Sequence, residues 1–226
     1  MIKVKKNNYF FFFALLTLLM AIGCSEEPTA PKIAQPEKKI EGTIVAVGDS
    51  LTEGLGVEEE LAYPAVLEEK LRGQGYPYQV INAGISGETS SGTLSRIKWV
   101  LTLKPDIVIL VIGANDGFRG LDPDLIQTNI QKIIRMLKEE NVIVVLGAMQ
   151  IVQNLGKDYT TAFANIYPEV ARSADVILVP FFLDGVAANQ KLNQADGIHP
   201  TAEGYQVIVD NIMPYVVEAI EIHRKK

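Results

Sequence analysis

From residue 43 onward, five short apolar runs alternate with stretches whose apolar residues recur every three or four positions. The runs are TIVAVGDS, YQVINAG, PDIVILVIGAND, NVIVVLGAMQ and ADVILVPF. They are rich in Val and Ile with few polar interruptions, as expected of strands buried on both faces of a parallel sheet. Of the intervening stretches, LAYPAVLEEKLRGQG ends on glycine, a helix stop, and TSSGTLSRIKWVLTLKP ends before the ring of Pro105. DPDLIQTNIQKIIRMLKEEN places Asp122 to cap a helix and Pro123 in its first turn. YTTAFANIYPEVARSA and PTAEGYQVIVDNIMPYVVEAIEI complete the set. Strand alternating with helix predicts a three-layer α/β/α fold, with a flavodoxin-like five-stranded parallel sheet.

Polar residues gather where the runs end. The first closes on Gly48-Asp49-Ser50, the second on Asn82-Ala83-Gly84, the third on Gly113-Ala114-Asn115-Asp116. In a doubly wound sheet, ligands bind beyond the carboxyl ends of the strands, where strand order reverses. We expect the order 2-1-3-4-5, which the sequence does not itself display. Under it these three turns are neighbours.

The amino terminus follows a different pattern. MIKVKKNN carries three lysines and no acid, and Tyr9 to Ile22 carries no charge. That run is short for a membrane span and fits the basic and apolar regions of a secretory signal. AIGC follows, with the only cysteine of the chain at Cys24. Small residues before a lone cysteine resemble a bacterial lipobox. The expectation is a signal peptide over 1–23, a lipidated Cys24 and an exported protein held to the cell envelope by its lipid. Ser25 rather than Asp after the cysteine resembles the outer-membrane default, with the domain facing the periplasm. A free buried cysteine after an ordinary signal or an uncleaved anchor is the plainer alternative. Residues 24–41, with prolines and charges and few large apolar residues, read as the lipidated Cys24 and a flexible tether. The domain then runs over 42–226.

Composition adds only exclusions. The chain has 226 residues, enough for one α/β domain, and a formal charge of −6. No basic stripe marks a nucleic-acid partner. A single cysteine leaves no internal disulfide.

What could Ser50 do? A turn or a phosphate loop would use VGDSLTEGLG as well as a nucleophile would. Serine needs a base, and the chain has two histidines. His223 lies in the tail EIHRKK, where a solvated or helix-dipole role suits it. His199 lies in ADGIHPTAEGY, three residues after Asp196, so that the carboxylate can orient the imidazole toward Ser50. A capping role at a helix start is the plain reading of Asp196. Asp196 and His199 together supply too few ligands for a catalytic zinc. Acyl transfer also needs donors for an oxyanion. The Ser50 N–H, the Gly84 N–H and the Asn115 amide are candidates if the turns converge. Taken singly, Gly84 reads as a turn glycine and Asn115 as an Asn-Asp turn. Ser86, Ser90 and Ser91 read as loop and cap, and Trp99 and Tyr205 as core or helix-face residues.

GDSLTEG at 48–54, Gly84 in NAGISGET, GAND at 113–116 and DGIHP at 196–200 resemble, in order and spacing, the four sequence blocks of the SGNH/GDSL hydrolases. The likeness spans about 42–220. GAMQIVQNLGKDYTTAFANIYPEVA is also similar to the thioesterase/lysophospholipase/arylesterase subgroup. The resemblance implies Ser50 as nucleophile, His199 as base then acid, and Asp196 as its orienting carboxylate. It implies an oxyanion hole of Ser50, Gly84 and Asn115, and a structural Asp49 beside the nucleophile. It implies neither metal nor organic cofactor. The expected substrate is a small acyl ester or thioester. The apolar, amide-rich MQIVQNLG departs from the arginine and prolines expected there in the subgroup. Two alternatives stand beside this reading: an envelope carbohydrate O-deacetylase, and a non-catalytic flavodoxin-like ligand-binding lipoprotein.

Overall fold

The computed structural model describes residues 39–151 and 153–226. The signal segment, Cys24 and the tether up to residue 38 lie outside the described residues. Five parallel strands form one sheet: β1 (Gly42–Gly48), β2 (Tyr78–Gly84), β3 (Ile107–Val111), β4 (Ile143–Gly147) and β5 (Ile177–Val179). Their order is β2-β1-β3-β4-β5, the order expected for a flavodoxin-like sheet. Every residue of β3 is buried, and β1 is buried at all but one position. That two-sided burial explains why these runs carry no alternation of polar residues.

Helices cover both faces. Helices α2 (Tyr63–Gly73) and α7 (Ala202–His223) pack together on one face; α3 (Ser90–Thr102), α5 (Pro123–Glu139) and α6 (Lys157–Ala174) cover the other. Asp122 caps α5 through a bond from the Asp124 N–H, and Pro123 opens it, as the sequence predicts. Among the described residues no helix is long and apolar enough to cross a membrane.

Two one-turn helices, read from the sequence as turns, follow the strands that flank the order reversal. Helix α1 (Ser50–Glu53) follows β1, and α4 (Ala114–Phe118) follows β3. Strand β1 pairs with both β2 and β3, so the three chain segments leaving those strands emerge side by side. Glu41 belongs to the domain, because its N–H donates to Pro77 O and its carboxylate pairs with Arg224.

His223 closes the last turn of α7, the helix-end role expected of it, but it is not simply solvated. Its Nδ1 lies 2.7 Å from the Tyr78 hydroxyl and its Nε2 3.2 Å from Asp106. This cluster sits at the amino ends of the strands, where Asp106 Oδ2 also accepts the Thr43 N–H. It is far from the strand ends that carry Ser50.

Candidate active site

Ser50 is the first residue of α1. Asp49 caps this helix, its Oδ1 accepting the Leu51 N–H at 3.1 Å. The Ser50 N–H therefore stands at a helix start, where no intrahelical acceptor exists. Its hydroxyl oxygen lies 2.9 Å from His199 Nε2, and His199 Nδ1 lies 2.6 Å from Asp196 Oδ2. The hydrogen bond from His199 is the main reason the Asp196 carboxyl falls to about 2, well under the usual range. At neutral pH Asp196 is thus an acceptor only. Nδ1 must carry the imidazole proton, which leaves the Nε2 lone pair facing the Ser50 hydroxyl.

The loop bearing His199 is built by local bonds. Asp196 Oδ1 accepts the N–H groups of Ile198 and His199, at 2.9 and 3.0 Å, in an Asx turn. The Gln194 N–H donates to His199 O, and Thr201 caps α7 by accepting the Gly204 N–H. The Gln194 side chain donates to Leu55 O at 2.7 Å and to Pro200 O at 3.0 Å, joining this loop to the segment after α1. Sequence reasoning missed Gln194. A glutamine in a loop carries no pattern that announces such a tie.

Asn115 reaches the site from α4. Its Nδ2 donates to Asp49 Oδ2 at 3.1 Å, which leaves one amide hydrogen for a ligand. The one-turn helix starts at Gly113, whose φ of +112° excludes most other residues, and a Cβ there would meet the Tyr167 hydroxyl at 2.5 Å. Tyr167 in turn donates to Ile112 O.

Gly84 needs correction. Its N–H donates to Asn82 Oδ1 at 2.9 Å and is not free for an oxyanion. Its missing side chain makes room for α1 rather than for substrate: a Cβ would lie 2.1 Å from Glu53 N and 2.7 Å from Thr52 C. The Cβ would press on backbone atoms, and it has no rotamer by which to avoid them. Gly84→Ala should therefore displace the helix that carries Ser50. We expect a loss of roughly 1–3 kcal/mol of stability together with a fall in ester turnover, measured by denaturant unfolding and by initial rates. Further along the same turn, the exposed Gly87 has φ +75°, and its N–H meets no acceptor among the described residues. Arg119 Nη2 donates to Gly87 O at 2.9 Å, fixing this turn to the end of α4.

Of the competing serines, Ser90 is wholly buried. Thr89, not Ser90, caps α3. Tyr205 is core, and Trp99 lies on an exposed helix face, as expected.

Asp49 is almost fully buried, and that burial raises its carboxyl to about 6, against the lowering effect of Leu51 N–H, Asn115 and His199. The folded state therefore holds this proton more tightly than the unfolded chain does. Its contribution is full below pH ~4, the ordinary aspartate value, and is lost as pH rises through about 6. Relative to Asp49→Asn, the native protein should lose stability between those pH values, by up to about 3 kcal/mol. Parallel melting curves across that window would check it; parallel pH dependences would contradict it. Asp196 acts in another window, with its contribution lost as pH falls toward about 2.

Large apolar side chains stand exposed on the segments that leave the strands and on the His199 loop. Leu55, Ile85, Phe118, Leu155 and Ile198 are all exposed, and all lie in segments that follow the strands or flank His199. A cavity of about 470 Å3 beside α1 is lined by Leu55, Val57, Asn82 and Gly84, among others. A second hollow, about 670 Å3 between α5 and α6, contains Lys132, Arg135 and Lys138 and none of the residues discussed above. Among the described residues no three His, Cys, Asp or Glu side chains cluster as a metal site would require.

The model of the GDSL-like Lipase/Acylhydrolase family matches residues 46–207. The chain belongs to this family. It is 39% identical over 173 residues to Esterase TesA of Pseudomonas aeruginosa, covering 76% of this chain and 86% of the relative. It is 35% identical over 169 residues to Thioesterase 1/protease 1/lysophospholipase L1 of Escherichia coli K12, covering 74% and 80%. A solved structure of the psychrotrophic esterase EstA from Pseudoalteromonas sp., inhibited by monoethylphosphonate, superposes with a TM-score of 0.76 at 28% identity. It covers 80% of this chain and all of that one. The protein is a GDSL serine hydrolase that acts on ester bonds.

Proposed function

We propose that this enzyme hydrolyses esters or thioesters of small to medium acyl chains through an acyl-enzyme on Ser50. The observation that carries the reading is the continuous relay from Asp196 to His199 to Ser50, at 2.6 and 2.9 Å. The Ser50 oxygen attacks the carbonyl carbon while its proton passes to His199 Nε2. The negative oxygen that forms is held by the Ser50 N–H and the free Asn115 amide hydrogen, with the unengaged Gly87 N–H as third donor in place of Gly84. His199 then protonates the leaving alkoxide or thiolate. Water, deprotonated by the same imidazole, attacks the acyl carbon; the bond from that carbon to the Ser50 oxygen breaks, the imidazolium returns its proton to Ser50, and the carboxylic acid leaves. The relay gives His199 a role that the ligand-binding alternative does not.

The apolar side chains around the site favour an acyl chain over a sugar. Hydrolysis of p-nitrophenyl esters of increasing acyl length tests this. We expect turnover to improve beyond acetate before falling. Activity confined to acetate would move the proposal to the carbohydrate O-deacetylase.

The amino terminus supports a second part of the proposal: export, with lipid attached at Cys24 and the domain held at an envelope membrane, the outer one by the residue after the cysteine. Its support is the basic and apolar run ending at the single cysteine. Metabolic labelling with palmitate should mark the native chain and not Cys24→Ala. Equal labelling of both would remove the anchor.

A further inference from the structure

Asp116 is adjacent to Asn115 in sequence, yet it takes no part in the relay. It is completely buried, and no Lys, Arg or His pairs with it among the described residues. An unpaired carboxylate in a core is costly unless hydrogen bonds hold it. Here the amino end of α3 supplies them. The Ser90 N–H donates to Asp116 Oδ2 at 2.8 Å, and the Ser90 hydroxyl donates to Oδ1 at 2.6 Å. Asn129 of α5, also buried, donates to the Ser90 oxygen at 3.0 Å and to Ser91 Oγ at 2.9 Å. With its oxygen accepting from Asn129, the Ser90 hydroxyl has its hydrogen directed at Asp116. The orphan N–H groups and positive end of a 13-residue helix suit a carboxylate there.

This brace bears on a helix that cannot hold itself. A five-residue turn of helix has almost no cooperative stability of its own. Asn115 and Asp116 project from it about 100° apart, as successive helical residues do. One points to Asp49 and the nucleophile, the other to α3. The Asp116–Ser90 bonds therefore set how α4 is rotated about its axis, and that rotation sets where the Asn115 amide points. A donor that stabilises an oxyanion works only within a few tenths of an ångström of its place.

We infer that Asp116, held by Ser90 and Asn129, is a positioning residue that aims the Asn115 amide at the developing oxyanion. The inference rests on the proposed role of Asn115. It assigns Asp116 no contact with substrate.

The test is a double-mutant cycle on the full chain with a p-nitrophenyl ester, using Asn115→Ala, Asp116→Asn and both together. Asp116→Asn keeps the shape but sets an amide hydrogen or a weaker acceptor against Ser90. We expect kcat to fall roughly 10- to 100-fold with KM changed less than about threefold, a loss bounded by that of the donor itself. In the Asn115→Ala background the same substitution should cost less than about threefold, because the amide it aims is gone. Ser90→Ala, which keeps the backbone bond, should show a smaller loss with the same split and serves if Asp116→Asn unfolds. Far-UV circular dichroism and melting temperature verify the fold of each. Losses that multiply across the cycle, or a lowered melting temperature with kcat unchanged, would overturn the inference. If Asn115→Ala alone leaves kcat unchanged, the role of Asn115 falls first, and the positioning role with it.

Discussion

Ser50→Ala should lower kcat for ester hydrolysis by about 10⁶, to a residue set by substrate binding and the oxyanion donors alone. The expectation follows from the geometry around one oxygen. The Ser50 hydroxyl faces the His199 lone pair at 2.9 Å, and the helix start behind it presents an N–H with no intrahelical acceptor. Removing the oxygen removes the atom that forms the covalent bond, while the Asp49 cap and the Gly84 contact keep α1 in place. The folded state should therefore be intact, with KM or inhibitor binding little altered. Steady-state kinetics on esters, beside a melting curve, check both halves. A variant retaining more than a few per cent of the rate would mean that another group attacks.

Asp196→Asn should cost about 10⁴ in kcat, the loss typical when the carboxylate of such a triad becomes an amide. The substituted side chain can still accept the Ile198 and His199 N–H groups through Oδ1, so the Asx turn survives. What changes is the partner of His199 Nδ1. A carboxylate can only accept, whereas the amide nitrogen donates and holds the imidazole with its proton on Nε2, against the Ser50 hydroxyl. The base is then blocked where it should receive. Asp196→Ala should fall similarly but lose the turn as well, with a lower melting temperature. If Asp196→Asn kept kcat within about tenfold, orientation of His199 would have to come from elsewhere.

Much of this site was legible in the residues. Continuous Val and Ile runs name the buried strands, and chemistry-bearing residues at three strand ends name the crevice. Gly84 shows where such reading stops. A glycine within a motif carries no mark of whether its N–H or its missing Cβ is in use; only the approach of Glu53 and the bond to Asn82 separate the two. The short helices α1 and α4 were also hidden, because one turn is too brief to show a period and is held from outside, by Tyr167, Ser90 and the Asp49 cap. For His223 the helix-end place was legible, and what escaped was its pair of side-chain partners. Its partners, Tyr78 and Asp106, lie 145 and 117 positions away in the chain and meet it only across the sheet.

The central claim is that Ser50 carries the acyl group. A reporter fluorophosphonate forms a stable bond to an activated serine, and digestion with mass spectrometry locates it. The account predicts a single label on Ser50, absent from Ser50→Ala and greatly slowed in His199→Ala. A label on Ser86, Ser90 or Ser91, or ester turnover with Ser50 unlabelled, would contradict it.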